Sequence, residues 1–137
     1  MRLVIDTNMI ISALVRDGKC REIITSNEFE FLSPEFVLEE IDKYKKYILE
    51  KSDMSEHDYL LLIEFIFSKI KIVVHETYEN KLKEAEKIME EDKKDAPFVA
   101  CYLSLNCDGI WTNDSDYDGK KELKLFSTKD LIDIIEY

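Results

Sequence analysis

The first eight residues, Met1–Asn8, constrain the fold more than any other stretch of this sequence. The run Leu3–Ile5 is apolar and mostly β-branched, which is typical of a strand buried on both faces inside a parallel sheet. Asp6 follows directly, and an apolar helical segment begins at Met9. A carboxylate at the carboxyl end of a central strand lies where open α/β sheets bind ligands. Asp6 is therefore either a functional acid or a helix cap, because Asp side chains also cap helices.

Strands alternate with helices along the rest of the chain. The predicted strands cover residues 2–6, 30–32, 70–74, 109–112 and 123–126. Apolar periodicity and capping residues predict helices over residues 9–15, 19–25, 34–50, 55–67, 78–89, 97–105 and 130–135. This alternation predicts a three-layer α/β/α sandwich with a central, mostly parallel sheet of about five strands. We predict a single domain over residues 1–137, because this length suits one core and we find no linker or repeat.

The chain is acidic, with 30 Asp and Glu residues against 19 Lys and Arg residues and a formal net charge of −11. This charge has the wrong sign for a nucleic-acid protein, because Lys and Arg neutralise phosphates. A nucleic-acid function therefore requires carboxylates gathered around cations, or a local basic rim. No apolar run suits a membrane span and no secretory signal is visible. The cysteines Cys20, Cys101 and Cys107 lack disulfide or zinc spacing, which predicts reduced thiols in a cytoplasmic protein.

Acidic residues recur at the carboxyl ends of the predicted strands. Asp114 and Asp116 follow the fourth strand, as Asp6 follows the first. Right-handed crossovers place the carboxyl ends of parallel strands at one edge of the sheet. The three acids would share that edge if the first and fourth strands are neighbours. The alternative for the stretch around Asp114 is an ordinary polar turn.

Other acids are predicted near the same edge. The predicted helix over residues 34–50 has an apolar stripe formed by Val37, Ile41, Tyr44 and Ile48. Glu40 falls roughly 60° from the centre of this stripe, whereas Glu39 points away from it. A carboxylate at the margin of a buried face needs a partner, such as Lys43 on the same helix. Asp95 precedes the helix that starts near Pro97, where capping is the alternative role. Asp92 is predicted to belong to a solvated charge run.

Several ionised carboxylates in one cleft repel each other, which raises their pKa values unless cations neutralise them. Mg²⁺ and Mn²⁺ prefer oxygen ligands. The two histidines and three cysteines show no spacing that suits zinc. The sequence therefore predicts a Mg²⁺ or Mn²⁺ site at this edge.

Four motifs, in this order along the chain, resemble the PIN domain, and more narrowly the VapC-type PIN toxins of prokaryotic toxin–antitoxin pairs. The motifs are Val4–Asn8, Ser33-Pro34 leading to Glu39-Glu40-Ile41, Asp95–Ala100 and Thr112–Asp116. The resemblance extends over nearly the whole chain, with the motifs in the right order. The stretch from Lys51 to Lys94 departs from the compact toxins by carrying a longer helical insertion, so the choice between Glu39 and Glu40 stays open.

The resemblance implies that one set of carboxylates binds the metal and carries the catalysis: Asp6, Glu40, Asp95, Asp114 and, as a fifth acid, Asp116. Asn8 and Thr112 would be polar supports that orient Asp6 and the loop. The implied activity is metal-dependent hydrolysis of RNA phosphodiester bonds by an endoribonuclease. The implied partners are RNA, a cognate antitoxin protein and a second copy of the chain in a homodimer. The alternative is a catalytically silent PIN-like module that binds RNA or protein.

A basic rim would have to come from cations near the same edge. The candidates for phosphate contacts are Arg16, Lys19, Arg21, Lys43, Lys45 and Lys46, with a solvated surface as the alternative for each. Two other enzyme classes fit less well. A haloacid-dehalogenase-like phosphatase needs a second Asp where this chain has Asn8. A response-regulator receiver needs an Asp after the third strand, where this chain has Val74-His75-Glu76.

Overall fold

The computed structural model describes all 137 residues, which form five β-strands and nine α-helices. The strands are β1 (Arg2–Ile5), β2 (Glu30–Pro34), β3 (Ile70–Val73), β4 (Gly109–Trp111) and β5 (Leu125–Phe126). The helices are α1 (Thr7–Val15), α2 (Lys19–Thr25), α3 (Phe36–Lys43), α4 (Lys45–Ser52), α5 (Glu56–Phe67), α6 (His75–Tyr78), α7 (Leu82–Ile88), α8 (Ala96–Ser104) and α9 (Thr128–Ile135). Short 3₁₀ turns occupy Glu79–Lys81, Lys93–Asp95 and Ser115–Tyr117. None of the helices combines the length and apolar character that a membrane crossing requires.

The predicted α/β sandwich is confirmed, and its sheet is parallel throughout. The strand order is β3-β2-β1-β4-β5, and every neighbouring pair runs parallel. In the centre, Val4 of β1 pairs with Leu32 of β2 and with Ile110 of β4. Because β1 has a strand on each side and helices on both faces, the run Leu3–Ile5 is completely buried. The adjacency of β1 and β4 brings the ends of these two strands together.

Helices cover both faces of this sheet and close one continuous core of 30 buried residues. On one side α8 packs across β1, β2 and β4, and α6 and α7 pack against α8. The helices α2, α4 and α5 pack against α1, and α9 packs against α2. The carboxyl ends of β1 and β4 therefore lie between α1 and the start of α8.

The single helix predicted over residues 34–50 is wrong. Pro34 is the last residue of β2, where it pairs with Val73, and the chain bends at Tyr44 to form α3 and α4. The bend lets each helix bury its own apolar residues against the core, Val37 and Ile41 from α3 and Ile48 from α4. Tyr44 itself remains 47% exposed, although the helical pattern had placed it in the buried stripe.

The charged composition of residues 78–89 predicts one exposed helix, and here too the structure differs. The segment consists of α6, a 3₁₀ turn and α7, and it buries Tyr78, Ala85 and Met89. The charged residues lie on the outer side of these short elements. The high charge of the segment therefore gave no indication of its buried side.

Gly109 sets the position of β4. A Cβ atom at this residue would lie 2.5 Å from the ring of Phe126 and 2.9 Å from the carbonyl oxygen of Lys124. Only glycine allows β5 to approach β4 this closely.

Candidate metal centre

Asp6 lies at the centre of the site, directly after β1. It is the N-cap of α1, and the residue is 4% exposed. One carboxylate oxygen accepts a hydrogen bond from the backbone N–H of Asn8 at 2.6 Å, and the other accepts one from the hydroxyl of Thr112 at 2.5 Å. The capping role and the placement at the sheet edge are therefore both present, and both oxygens of Asp6 are held in one orientation.

Thr112 connects the ends of β1 and β4. Its hydroxyl donates to Asp6 and accepts a hydrogen bond from the backbone N–H of Asp114 at 3.0 Å. The carboxylate of Asp114 in turn accepts from the backbone N–H of Asp116 at 2.9 Å and caps the 3₁₀ turn Ser115–Tyr117. Thr112 thus orients both acids, whereas Asn8 supports Asp6 through its backbone.

Glu40, and not Glu39, reaches this site from α3. The Thr7 hydroxyl donates to Oε1 of Glu40 at 2.5 Å. Glu39 is exposed and lies along a different groove, beside Phe36. The lysine expected to neutralise Glu40, Lys43, forms no ion pair with it.

Asp95 enters from the start of α8. It occupies the N-cap position of that helix, yet its side chain makes no capping hydrogen bond. Its Oδ2 atom is buried and has no hydrogen-bond partner in the protein. Capping therefore does not explain this carboxylate, and a buried oxygen without a partner calls for a ligand.

Four carboxylates from four elements line one small cavity of about 60 Å³, which we call the acidic cavity: Asp6, Glu40, Asp95 and Asp114. Its wall is completed by Thr7, Asn8, Tyr44, Lys94 and Phe98. Lys94 is the one cation among these lining residues, so the carboxylates outnumber the positive charges. The volume suits an ion with a few waters.

The crowding of these acids shows in their ionisation. Burial, followed by the charges of Asp6, Asp114 and Asp92, raises the pKa of Asp95 to about 7 against the opposing charge of Lys94. Burial also raises the pKa of Asp6, outweighing the hydrogen bonds from Thr112 and Asn8 that lower it. The repulsion among these carboxylates is therefore relieved either by protonation of the acids or by binding of a cation.

These residues fit a divalent metal ion. The donor set consists of carboxylate oxygens, which suit hard cations such as Mg²⁺ and Mn²⁺. The unpartnered oxygen of Asp95 and the excess of carboxylates are both relieved when an ion binds. The roles of the individual acids as ligands stay predictions.

Asp116 does not line the acidic cavity. It is exposed and belongs to a neighbouring group with Asp92 and Asp95, whose carboxylate oxygens lie within 4.8 Å of one another. A hydrogen bond with the Asp92 carboxyl, followed by desolvation and the charge of Asp114, raises the pKa of Asp116. The interpretation of Asp92 as a solvated surface charge missed this contact, because the 3₁₀ turn Lys93–Asp95 brings Asp92 back beside Asp95.

Tyr117 is a buried residue near the acidic cavity that the sequence did not indicate. It is 1% exposed, and its hydroxyl group has no hydrogen-bond partner. Burial, and then the charge of Asp6 followed by those of the other three acids of the cavity, raises the pKa of Tyr117. The hydroxyl therefore lies within electrostatic reach of the whole acidic cavity. In the sequence, an aromatic residue after an acidic turn looks like ordinary core packing.

We expect Tyr117→Phe to stabilise the metal-free protein by about 1 kcal/mol, because it removes a buried hydroxyl without a partner and keeps the ring. Urea unfolding in EDTA measures this effect. Tyr102→Phe, on the half-buried side of α8, is the matched control and should change stability little. A clear loss of stability in Tyr117→Phe would show that the hydroxyl is already satisfied.

The chain is an α/β protein with a parallel sheet, and a carboxylate-lined cavity suited to a divalent metal ion lies at the carboxyl edge of that sheet. The family model of the PIN domain matches residues 4–128. The chain therefore belongs to the PIN domain family, whose members are usually metal-dependent nucleases. No curated protein matches the chain by sequence.

Proposed function

We propose that this PIN domain protein is a metal-dependent endoribonuclease that hydrolyses RNA phosphodiester bonds with Mg²⁺ or Mn²⁺. One observation carries the proposal: carboxylates from the ends of β1 and β4, from α3 and from the start of α8 line the same cavity. Asp6, Glu40, Asp95 and Asp114 would hold the ion, with Asp116 as a neighbouring fifth acid.

When bound, a divalent ion lowers the pKa of an attacking water and neutralises charge on the scissile phosphate. The residues of this chain supply the orientation. Thr112 and the Asn8 backbone hold both oxygens of Asp6, and Thr7 holds one oxygen of Glu40. Asp95 Oδ2, which has no partner in the protein, is the oxygen left free to bind or to accept a proton. Phe98 forms part of the cavity wall.

The finer part of the proposal is that the protein is the toxin of a toxin–antitoxin pair, acts in the cytoplasm and forms a homodimer that binds a cognate antitoxin. The motif resemblance to VapC-type toxins supports the toxin role, and the three free cysteines support a reducing compartment. Support for a partner comes from α5, where Leu60, Leu61 and Phe65 are 54%, 56% and 48% exposed. Growth arrest on induced expression, absent with Asp6→Asn, tests the toxin role, and light scattering tests the dimer.

The nuclease proposal predicts that single-stranded RNA is cut by the wild-type protein with Mg²⁺ or Mn²⁺, but not in EDTA. Asp6→Asn should yield no products, because it replaces the carboxylate on which the other groups converge. Asp133→Asn, on the exposed side of α9, is the control and should cut like the wild type. Product formation on a denaturing gel measures both. RNA binding without products in any metal would instead support the catalytically silent module.

A further inference from the structure

A second, larger cavity lies beside the acidic cavity. Its volume is about 360 Å³, within the range of pockets that hold a small organic ligand. We call it the basic cavity, and the lining residues that matter here are Ser12, Arg16, Lys19, Tyr47, Asn113 and Thr128.

The two cavities are neighbours in the sense that residues close together on α1 line one or the other, and α1 packs against α4. Asn8 of α1 lines the acidic cavity, and Ser12, one helical turn further, lines the basic cavity. That step is about 6 Å along the helix axis. On the side opposite α1, Tyr44 at the bend between α3 and α4 lines the acidic cavity, and Tyr47 of α4 lines the basic one. A ligand that extends from the acidic cavity therefore reaches the basic cavity next.

The charge changes sign between the two cavities. The acidic cavity is lined by four carboxylates, whereas the basic cavity is lined by Arg16 and Lys19 and by no Asp or Glu. Lys19 lies 3.8 Å from Glu22 in an exposed ion pair, but Arg16 makes no ion pair and no side-chain hydrogen bond. On a chain of net charge −11, a free guanidinium in a cavity without acids favours an anionic ligand.

The basic cavity also offers an aromatic surface. Tyr47 is 48% exposed, and its ring meets that of Tyr44 edge to face at 6.5 Å. Lys51 places its Nζ atom 5.9 Å from the centre of the Tyr47 ring, which adds a third positive charge nearby. An exposed aromatic ring beside cations is the arrangement that binds single-stranded nucleic acid by stacking and phosphate contacts.

The polar wall of the basic cavity is already ordered. The Asn113 side-chain amide donates to the Thr128 hydroxyl at 3.0 Å and accepts from the Thr128 backbone N–H at 3.2 Å. Asn113 directly precedes Asp114, so this wall is continuous with the acidic cavity. The cavity therefore needs little rearrangement to receive a ligand.

We propose that the basic cavity binds the nucleotide adjacent to the scissile phosphate of single-stranded RNA, with Arg16 contacting its phosphate and Tyr47 stacking on its base. This inference rests on the proposed function, because it takes RNA as the strand laid across both cavities. It accounts for how a chain of strongly negative charge holds a polyanion: metal neutralises one cavity and Arg16 provides the positive charge of the next.

The test is the affinity for a labelled single-stranded RNA oligonucleotide, measured by fluorescence anisotropy in EDTA and in Ca²⁺ over a series of salt concentrations. We expect Arg16→Gln to weaken binding about 10-fold and to lower the slope of log affinity against log salt by about 0.7, the loss of one phosphate contact. Tyr47→Ala should weaken binding about 10-fold without changing that slope, and Tyr47→Phe should restore wild-type binding. Lys83→Gln on α7 and Tyr137→Ala at the exposed C-terminus are the matched controls and should bind within twofold of the wild type.

Steady-state cleavage separates this inference from the nuclease proposal. Arg16→Gln should raise KM and leave kcat unchanged, whereas Asp6→Asn removes kcat. Cleavage with normal affinity in Arg16→Gln and Tyr47→Ala overturns the basic cavity and leaves the nuclease proposal intact. If RNA binding depends on Arg16 and Tyr47 but the protein cuts no RNA, the basic cavity is supported as an RNA site and the nuclease proposal is overturned. Failure of the wild type to bind RNA in either EDTA or Ca²⁺ also overturns the inference.

Discussion

Replacing Glu40 by Gln is expected to lower metal-dependent RNA cleavage by about 100-fold or more, while replacing its neighbour Glu39 leaves it within about twofold. Glu40 lines the acidic cavity and is oriented by the Thr7 hydroxyl, whereas Glu39 is exposed on another side of α3. Both variants remove one negative charge from the same helix, so they share any general effect on charge or helix stability. Initial rates at saturating RNA with Mn²⁺ measure the difference.

This pair of variants also decides between the two glutamates that the motif left open. Thermal unfolding should show that both proteins fold, because neither side chain belongs to the core. Equal losses in the two variants would remove the special role of Glu40. A loss of cleavage confined to Glu39→Gln would show that Glu39, and not Glu40, is the metal ligand.

The second large effect is expected in the stability of the metal-free protein, which should fall as the pH rises from about 4 to about 7. Burial raises the pKa of Asp95 from 3.8 to about 7, so in this interval the unfolded chain ionises while the folded protein keeps its proton. The stability that the protonated carboxyl of Asp95 contributes is fully present below pH 3.8 and is lost as the pH rises through 7. Linkage gives about 4 kcal/mol as an upper value, and we expect about 1–2 kcal/mol because solvent screens the partly exposed carboxyl. The raised pKa of Asp6 acts in the same direction.

Urea unfolding in EDTA at a series of pH values measures this loss, and Asp95→Asn should remove most of it. At pH 7.5 without metal, Asp95→Asn should therefore be more stable than the wild type, whereas Asp133→Asn should not. Adding Mn²⁺ should stabilise the wild type at pH 7.5 more than at pH 5, because the ion competes with protons for the same oxygens. A wild type whose stability rises from pH 4 to 7 in EDTA, with no response to Mn²⁺, would contradict this assignment.

Local patterns predicted most of the architecture. The run Leu3–Ile5 indicated a central buried strand, and β1 is completely buried between β2 and β4. Alternation of strands and helices predicted the parallel sandwich, because burial on two faces and right-handed crossovers leave few other arrangements. The helix boundaries were harder to predict from the sequence, because the bend at Tyr44 depends on where Ile41 and Ile48 pack in the core.

The candidate site was likewise predictable from the sequence only in part. Asp6 and Asp114 could be placed at one edge from the sequence, because the ends of parallel strands meet there once β1 and β4 are neighbours. The hydrogen bond from Thr112 to Asp6, the unpartnered oxygen of Asp95 and the buried hydroxyl of Tyr117 could not. Each depends on distances between side chains from different elements, to which neither residue type nor periodicity is sensitive.

By itself, the sequence determined the alternation of elements, the centre of the sheet and the supply of carboxylates, because these follow from the burial and spacing of neighbouring residues. Only the tertiary structure decided that Glu40 and not Glu39 joins the acidic cavity, that Asp92 meets Asp116, and that Arg16 lies free beside Tyr47. The reason is physical: strand order and the turns between helices bring together groups that are distant in the chain. Charge and chemistry at the site depend on those distances.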